Sequence, residues 1–125
     1  MSDIKNKITW AITIVLALMF IGAGFAKVTA SEEMVQAFTL FNLPDWFRIV
    51  IGSLEIAGGI LLIIPSMTGC AAFGLSIVMI GAISCHIMFT PILQGIPAIS
   101  AMALLSYVFL ARKNVVPIFL QKHLI

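Results

Sequence analysis

Very few side chains in this sequence could do chemistry. Glu55 stands at the middle of an apolar stretch, Arg48-Ile-Val-Ile-Gly-Ser-Leu-Glu-Ile-Ala-Gly-Gly-Ile-Leu-Leu-Ile-Ile-Pro65. Arg48 lies on the same stretch, and Lys27 and His86 sit at the ends of two others. A carboxylate and an imidazole together can relay a proton. A carboxylate facing cations can fix the polar head of an otherwise apolar ligand, or clamp helices together by hydrogen bonding. Those three readings of the cluster stay open on sequence alone, as does whether Glu55 carries its charge. One His and one Glu without a third ligand do not make a zinc site. No serine stands in a Ser–His–acid arrangement, so no catalytic residue is assigned. Gly58-Gly59 lies inside an apolar run with no preceding strand and no following Lys-Ser/Thr, which excludes a phosphate loop.

The elements that must position these groups are membrane-length helices. The chain has 125 residues, 62% hydrophobic and 10% charged, against about 25% charged for a soluble domain. Four apolar spans are expected, at about 8–26, 46–64, 70–89 and 96–111. The last is near the minimum length for a crossing. Residues 1–125 then form one all-α transmembrane domain, a membrane-spanning four-helix bundle. The first span is weighed against a secretory signal peptide, because Lys5 and Lys7 precede it and Val28-Thr-Ala30 ends in small residues. Its apolar run exceeds the usual 7–15 residues of a signal core, which favours a retained helix.

Between the first two spans, Ser31 is placed to cap a short helix opening with Glu32-Glu33. Met34, Val35, Phe38 and Phe41 recur at helical spacing, so this segment is expected to be amphipathic, in the first outer loop, covering the mouth of the bundle or acting as a lid. Asn42-Leu-Pro44 ends it, and Trp46 and Phe47 occupy aromatic-belt positions. Pro65 to Gly69 is a turn in which Gly69 opens the next helix. Pro97 belongs to the first turn of the last helix. Val115, Val116, Ile118, Phe119 and Leu120 suit a tail on the membrane surface. With four spans, Lys5, Lys7, Arg112, Lys113 and Lys122 share one side, while Lys27 and Arg48 lie toward the other. This places both termini in the cytoplasm. A multi-pass protein of the plasma or inner membrane follows.

At about 100° per residue, Arg48, Gly52, Glu55 and Gly59 fall within roughly 60° of one another on one stripe. A charge at mid-membrane costs roughly 2.5–3.5 kcal/mol even on the mild insertion scale, so Glu55 needs a partner. Lys27, Arg48, Glu55 and His86 all belong to the outer half of the bundle. Arg48 is about 10 Å from Glu55 along the axis, too far for a close pair. Lys27 is free to snorkel outward. By depth, His86 is the nearest partner for Glu55. Gly52, Gly58 and Gly59 read as close-packing positions, and Gly22, Gly24, Gly74 and Gly81 are expected to serve likewise. Ser100, Ala103 and Tyr107 form a stripe that would complete the inner wall, with Tyr107 equally suited to anchor at the cytoplasmic interface. Cys70 and Cys85 lie about 22 Å apart on one helix, so they cannot bridge each other.

Phe20-Ile-Gly-Ala-Gly-Phe-Ala-Lys27 resembles the end of the first helix of the DoxX-like family. Asn42-Leu-Pro44 with Ile51-Gly-Ser-Leu-Glu-Ile-Ala-Gly-Gly-Ile-Leu-Leu62 resembles its Gly-x-x-Glu-x-x-Gly-Gly second helix, and Gly81-Ala-Ile-Ser-Cys-His86 its third. A Gly usual before the Leu-Pro is Asn42 here. The resemblance covers about residues 8–110 and implies a four-helix membrane bundle with Lys27, Glu55 and His86 as its polar positions. It also implies roles near membrane redox or stress-response systems, or in the assembly and export of other membrane proteins.

The reading carried forward is a non-catalytic membrane module that binds a lipophilic small molecule, a quinone or a lipid, and supports a membrane redox partner. A ligand-free assembly factor is the alternative, and a proton-coupled carrier the third. The bilayer is the one certain partner. No metal is expected, and a net charge of +2 with no basic patch excludes nucleic acid. The sequence leaves the ligand, the partner and any oligomer open.

Overall fold

The computed structural model describes residues 2–114, and every regular element among them is helical. Helix α1 (Asp3–Val28) is followed by the short α2 (Glu32–Leu40), then α3 (Asp45–Leu62), α4 (Thr68–Phe89), a 3-10 turn (Ile92–Gly95) and α5 (Ile96–Arg112). The surface-lying tail predicted after Asn114, with Lys122, lies outside the described residues.

Local chemistry sets most of these boundaries. The Ser2 hydroxyl accepts from the Lys5 amide at 3.3 Å and Asp3 fills the first turn of α1, so the helix begins five residues earlier than its apolar run. Ser31 caps α2 as its spacing predicts, accepting from the Met34 amide. Thr68, rather than Gly69, opens α4. Its hydroxyl donates to the carbonyls of Leu62 and Ile64, at 2.7 and 3.0 Å, and ties the end of α3 to the start of α4. Gly69 instead allows the backbone of Arg112 to approach: a Cβ there would stand 2.9 Å from its carbonyl oxygen. Within the helices, the hydroxyls of Thr9, Thr13, Ser53, Ser76, Ser84 and Ser106 each donate to the carbonyl four residues back. Such internal bonds satisfy polar groups where water is absent.

Among the described residues, three segments are long and apolar enough to cross a membrane: α1, α4, and the stretch Ile92–Arg112 in which the 3-10 turn lengthens α5 to 21 residues. That added turn removes the shortfall expected of the last span. Helix α3 is not among the three. It has 18 residues and includes Asp45, Arg48 and Glu55.

Helix α1 packs most extensively on α3, and α4 on α5; contacts between α3 and α4 and between α1 and α5 join the two pairs. The α1–α3 seam is close because glycines face backbone. A Cβ on Gly24 would collide with the Gly52 carbonyl, one on Gly52 would lie 2.8 Å from the Gly24 carbonyl, and one on Gly59 would lie 2.9 Å from the Ala17 carbonyl. Gly58 faces α4, against Leu75. Gly22, Gly74 and Gly81 do not share this role: a Cβ on any of them would meet nothing within 4 Å. On α5 the buried positions are Ala101, Leu105 and Val108, while Ser100, Ala103 and Tyr107 are exposed. The expected stripe is therefore rotated away from the interior.

The apolar core joins Leu16, Ala17 and Phe20 of α1, Leu62 of α3, Ala71, Ala72, Leu75 and Met79 of α4, and Ala101, Leu105 and Val108 of α5. They run from the middle of the bundle, at Leu16, Ala17, Phe20, Met79 and Ala101, to the end where α3 finishes and α4 begins, at Leu62, Ala71 and Ala72. The same end is tied by polar contacts. Arg112 donates to Asn6 Oδ1 at 2.7 Å and lies 5.0 Å from the Trp10 ring centroid, and Thr9 and Tyr107 hydroxyls are 3.0 Å apart. The opposite end is hollow.

Candidate functional site

The stripe on α3 is the foundation of the site. Arg48, Gly52, Glu55, Gly59 and Leu62 are the buried residues of that helix, spaced by four, three, four and three. Burying this face brings its carboxylate and guanidinium against α1. Glu55 Oε1 and Lys27 Nζ are 2.9 Å apart, and both side chains are largely enclosed. The partner of Glu55 is thus Lys27 and not His86. A Cα–Cβ bond tilts toward the N-terminus of its helix, so Lys27, near the end of α1, reaches back into the molecule instead of outward toward solvent.

Arg48 obeys the same rule in the other direction. It lies in the first turn of α3, and its side chain rises to donate through Nη1 to the carbonyl of Lys27. That carbonyl belongs to the last turn of α1, where acceptors lack helical partners and the helix dipole is negative. Arg48 also lies 3.7 Å from Asp45, while its Nε is buried without a hydrogen-bond partner. It is a brace behind the site and does not line the cavity.

The cavity has a volume of about 780 Å³ and opens among α1, α2, α3, α4 and α5. Its polar lining is Lys27 and Glu55 on one side, His86 with Cys85 on α4, Gln94 from the 3-10 turn and Glu33 from α2. The rest is apolar: Met19, Phe20 and Ala23 from α1, Phe47, Ile51 and Leu54 from α3, and Ile77, Val78, Met79 and Ala82 from α4. Helix α2 supplies Met34, Ala37 and Phe38, with Phe41 at its end. The amphipathic face predicted for this segment is therefore turned onto the cavity. Phe38 and Phe41 are buried; Phe41 meets the His86 ring edge-on at 5.3 Å and Phe89 at 6.3 Å.

His86 is held from its own helix end. Its Nδ1 is 3.0 Å from the Thr90 hydroxyl, which also lies 2.9 Å from the His86 carbonyl. Of the four residues singled out in the sequence, Lys27, Glu55 and His86 line one cavity, and Arg48 supports it. Thr90, Gln94 and the cavity-lining place of Glu33 were missed. Thr90 had a signal, standing four residues after His86 where a helix must end at Pro91. Gln94 and Glu33 had none, since only the fold brings the 3-10 turn and α2 to the cavity. The two cysteines are free, as their spacing requires.

The volume falls within the 300–1,000 Å³ common for ligand pockets, and the lining is mostly apolar with a few polar groups. Fold and composition define a small, all-helical integral membrane protein with a buried carboxylate–ammonium pair beside an apolar cavity. The family model for the DoxX-like family matches residues 11–111, and the chain belongs to that family. No curated protein and no solved structure matches the chain.

Proposed function

We propose that the protein is a non-catalytic membrane module that holds a lipophilic small molecule, a quinone or a lipid, in the cavity beneath α2. All four long helices cross the membrane in this reading, as a bundle with both termini cytoplasmic, α2 on the outer face, and the plasma or inner membrane as its site. The observation that carries it is one cavity with mostly apolar walls that is lined also by the Lys27–Glu55 pair and by His86. A quinone ring or a lipid head would meet hydrogen-bonding groups there while its tail lay along the apolar walls. Support for a membrane redox or stress-response partner is the role this binding suits within the family.

Purified protein extracted with organic solvent should release a near-stoichiometric lipid or quinone by mass spectrometry. The Glu55→Gln variant should retain several-fold less. Equal retention in a folded variant would remove the ligand reading and leave the assembly-factor alternative.

A further inference from the structure

We infer that the cavity selects a lipophile whose head carries a hydroxyl, with the Nε2 of His86 as the acceptor that recognises it. The inference rests on the cavity being a ligand site, and it narrows the ligand from any apolar molecule to one class.

The Thr90 hydroxyl has one proton and three neighbours, His86 Nδ1 and two carbonyls, of which that of Pro91 is the more distant at 3.4 Å. It lies 2.9 Å from the carbonyl oxygen of His86 and 3.0 Å from His86 Nδ1. A carbonyl can only accept, so the hydroxyl proton goes to it. The hydroxyl oxygen is then the acceptor for His86 Nδ1–H. In a neutral imidazole this leaves Nε2 as a bare acceptor. Among the described residues Nε2 has no hydrogen-bond partner, and the ring lines the cavity. Phe41, edge-on to the ring, restricts its rotation.

The other polar wall offers the opposite complement. The Lys27 ammonium has three N–H donors, one of them directed to Glu55 Oε1 at 2.9 Å. Donors therefore remain for a ligand oxygen, but the net charge of the pair is zero. An anionic head would gain little from Lys27 and would face the Glu55 carboxylate. An ether or a ketone could accept from Lys27 yet would leave His86 Nε2 unpaired. Of these heads only a hydroxyl carries a proton to donate to the imidazole, while its oxygen can still accept.

Three probes with the same tail separate these heads: 4-octylphenol, its methyl ether 4-octylanisole, and 4-octylbenzoate at pH 8. Saturable binding to the full chain in nanodiscs would be measured by titration calorimetry, with empty nanodiscs subtracted. The phenol should bind about tenfold more tightly than the ether, the value of one net hydrogen bond, and more tightly than the benzoate. His86→Phe keeps a ring against Phe41, and should bring the phenol down to the ether while leaving the ether unchanged. Equal binding of phenol and ether, tighter binding of benzoate, or an undiminished preference in His86→Phe overturns the hydroxyl assignment with the cavity reading intact. Saturable binding of none of the three overturns the cavity reading itself. Nitrogen-15 shifts of His86 in the unaltered protein give a check that needs no variant: a neutral ring protonated at Nε2 would overturn the assignment.

Discussion

Lys27 and Glu55 form an ion pair whose two ends come from successive long helices, α1 and α3. Their attraction has to offset the removal of both charges from water, and breaking such a pair costs more than the pair contributes net. Glu55→Met should destabilise the protein by about 3–5 kcal/mol, because the Lys27 ammonium is left buried without a counter-charge. The double variant Lys27→Met with Glu55→Met should recover most of that loss. Reversible unfolding in mixed detergent micelles measures both, and a double variant as unstable as the sum of the singles would show that the two residues do not act together. Arg48 belongs to the same scale. Arg48→Met removes the donor to the last turn of α1 and should cost about 1–3 kcal/mol, the range for a hydrogen bond made by a charged group.

At the scale of elements, the α1–α3 seam and the bracketing of α2 decide what the site can be. Gly24 and Gly22 are two residues apart on α1, but only Gly24 faces the Gly52 backbone. Gly24→Ala should destabilise by about 1–3 kcal/mol through overpacking, whereas Gly22→Ala should stabilise by about 0.5–1 kcal/mol through helix propensity. The same unfolding assay distinguishes them by sign. Helix α2 is flanked by two non-glycine residues in the left-handed region, Ala30 and Asn42, both at φ 59°. Asn tolerates this conformation and Ala does not. Ala30→Gly should therefore stabilise the loop, by about 1 kcal/mol.

Much of this level was legible in the sequence. The α3 stripe could be read at 100° per residue because Arg48, Gly52, Glu55 and Gly59 contrast with the apolar residues around them. The α2 cap could be read because Ser31 precedes two acids. The facing of the remaining glycines could not be read from small-residue spacing alone, since spacing does not give the phase of the buried face. On α1 that phase runs through Thr9, Thr13, Leu16, Ala17, Phe20 and Gly24, and Gly22 is out of step with it. The partner of Glu55 was misassigned because depth along a helix axis was compared for backbones. The tilt of the Lys27 side chain moves its ammonium a full helical turn or so, about 5 Å, toward Glu55.

For the molecule as a whole, the two ends differ in kind. One is packed solid by the apolar core and tied by Arg112, Asn6 and Trp10; the other holds the cavity and α2. On the proposed topology the solid end is cytoplasmic. Single cysteines introduced at Ser66 and at Gln36, in a Cys70→Ala and Cys85→Ala background, should react with an impermeant maleimide from opposite faces of intact membranes. Labelling of both from one face would overturn the four-span arrangement.

The exclusion of α3 from the segments apolar enough to cross alone carries a consequence for biogenesis. Glu55 is paired by Lys27 of α1 and Arg48 donates to the Lys27 carbonyl, and α1 leaves the ribosome first. The Lys27 ammonium and the Lys27 carbonyl that receives Arg48 are thus already in place when α3 emerges, so α3 should enter the bilayer as the second arm of a hairpin. In a glycosylation-tag insertion assay, α3 presented alone should be largely passed through or left behind. The same segment made after α1 should integrate, and Lys27→Glu in α1 should abolish that gain.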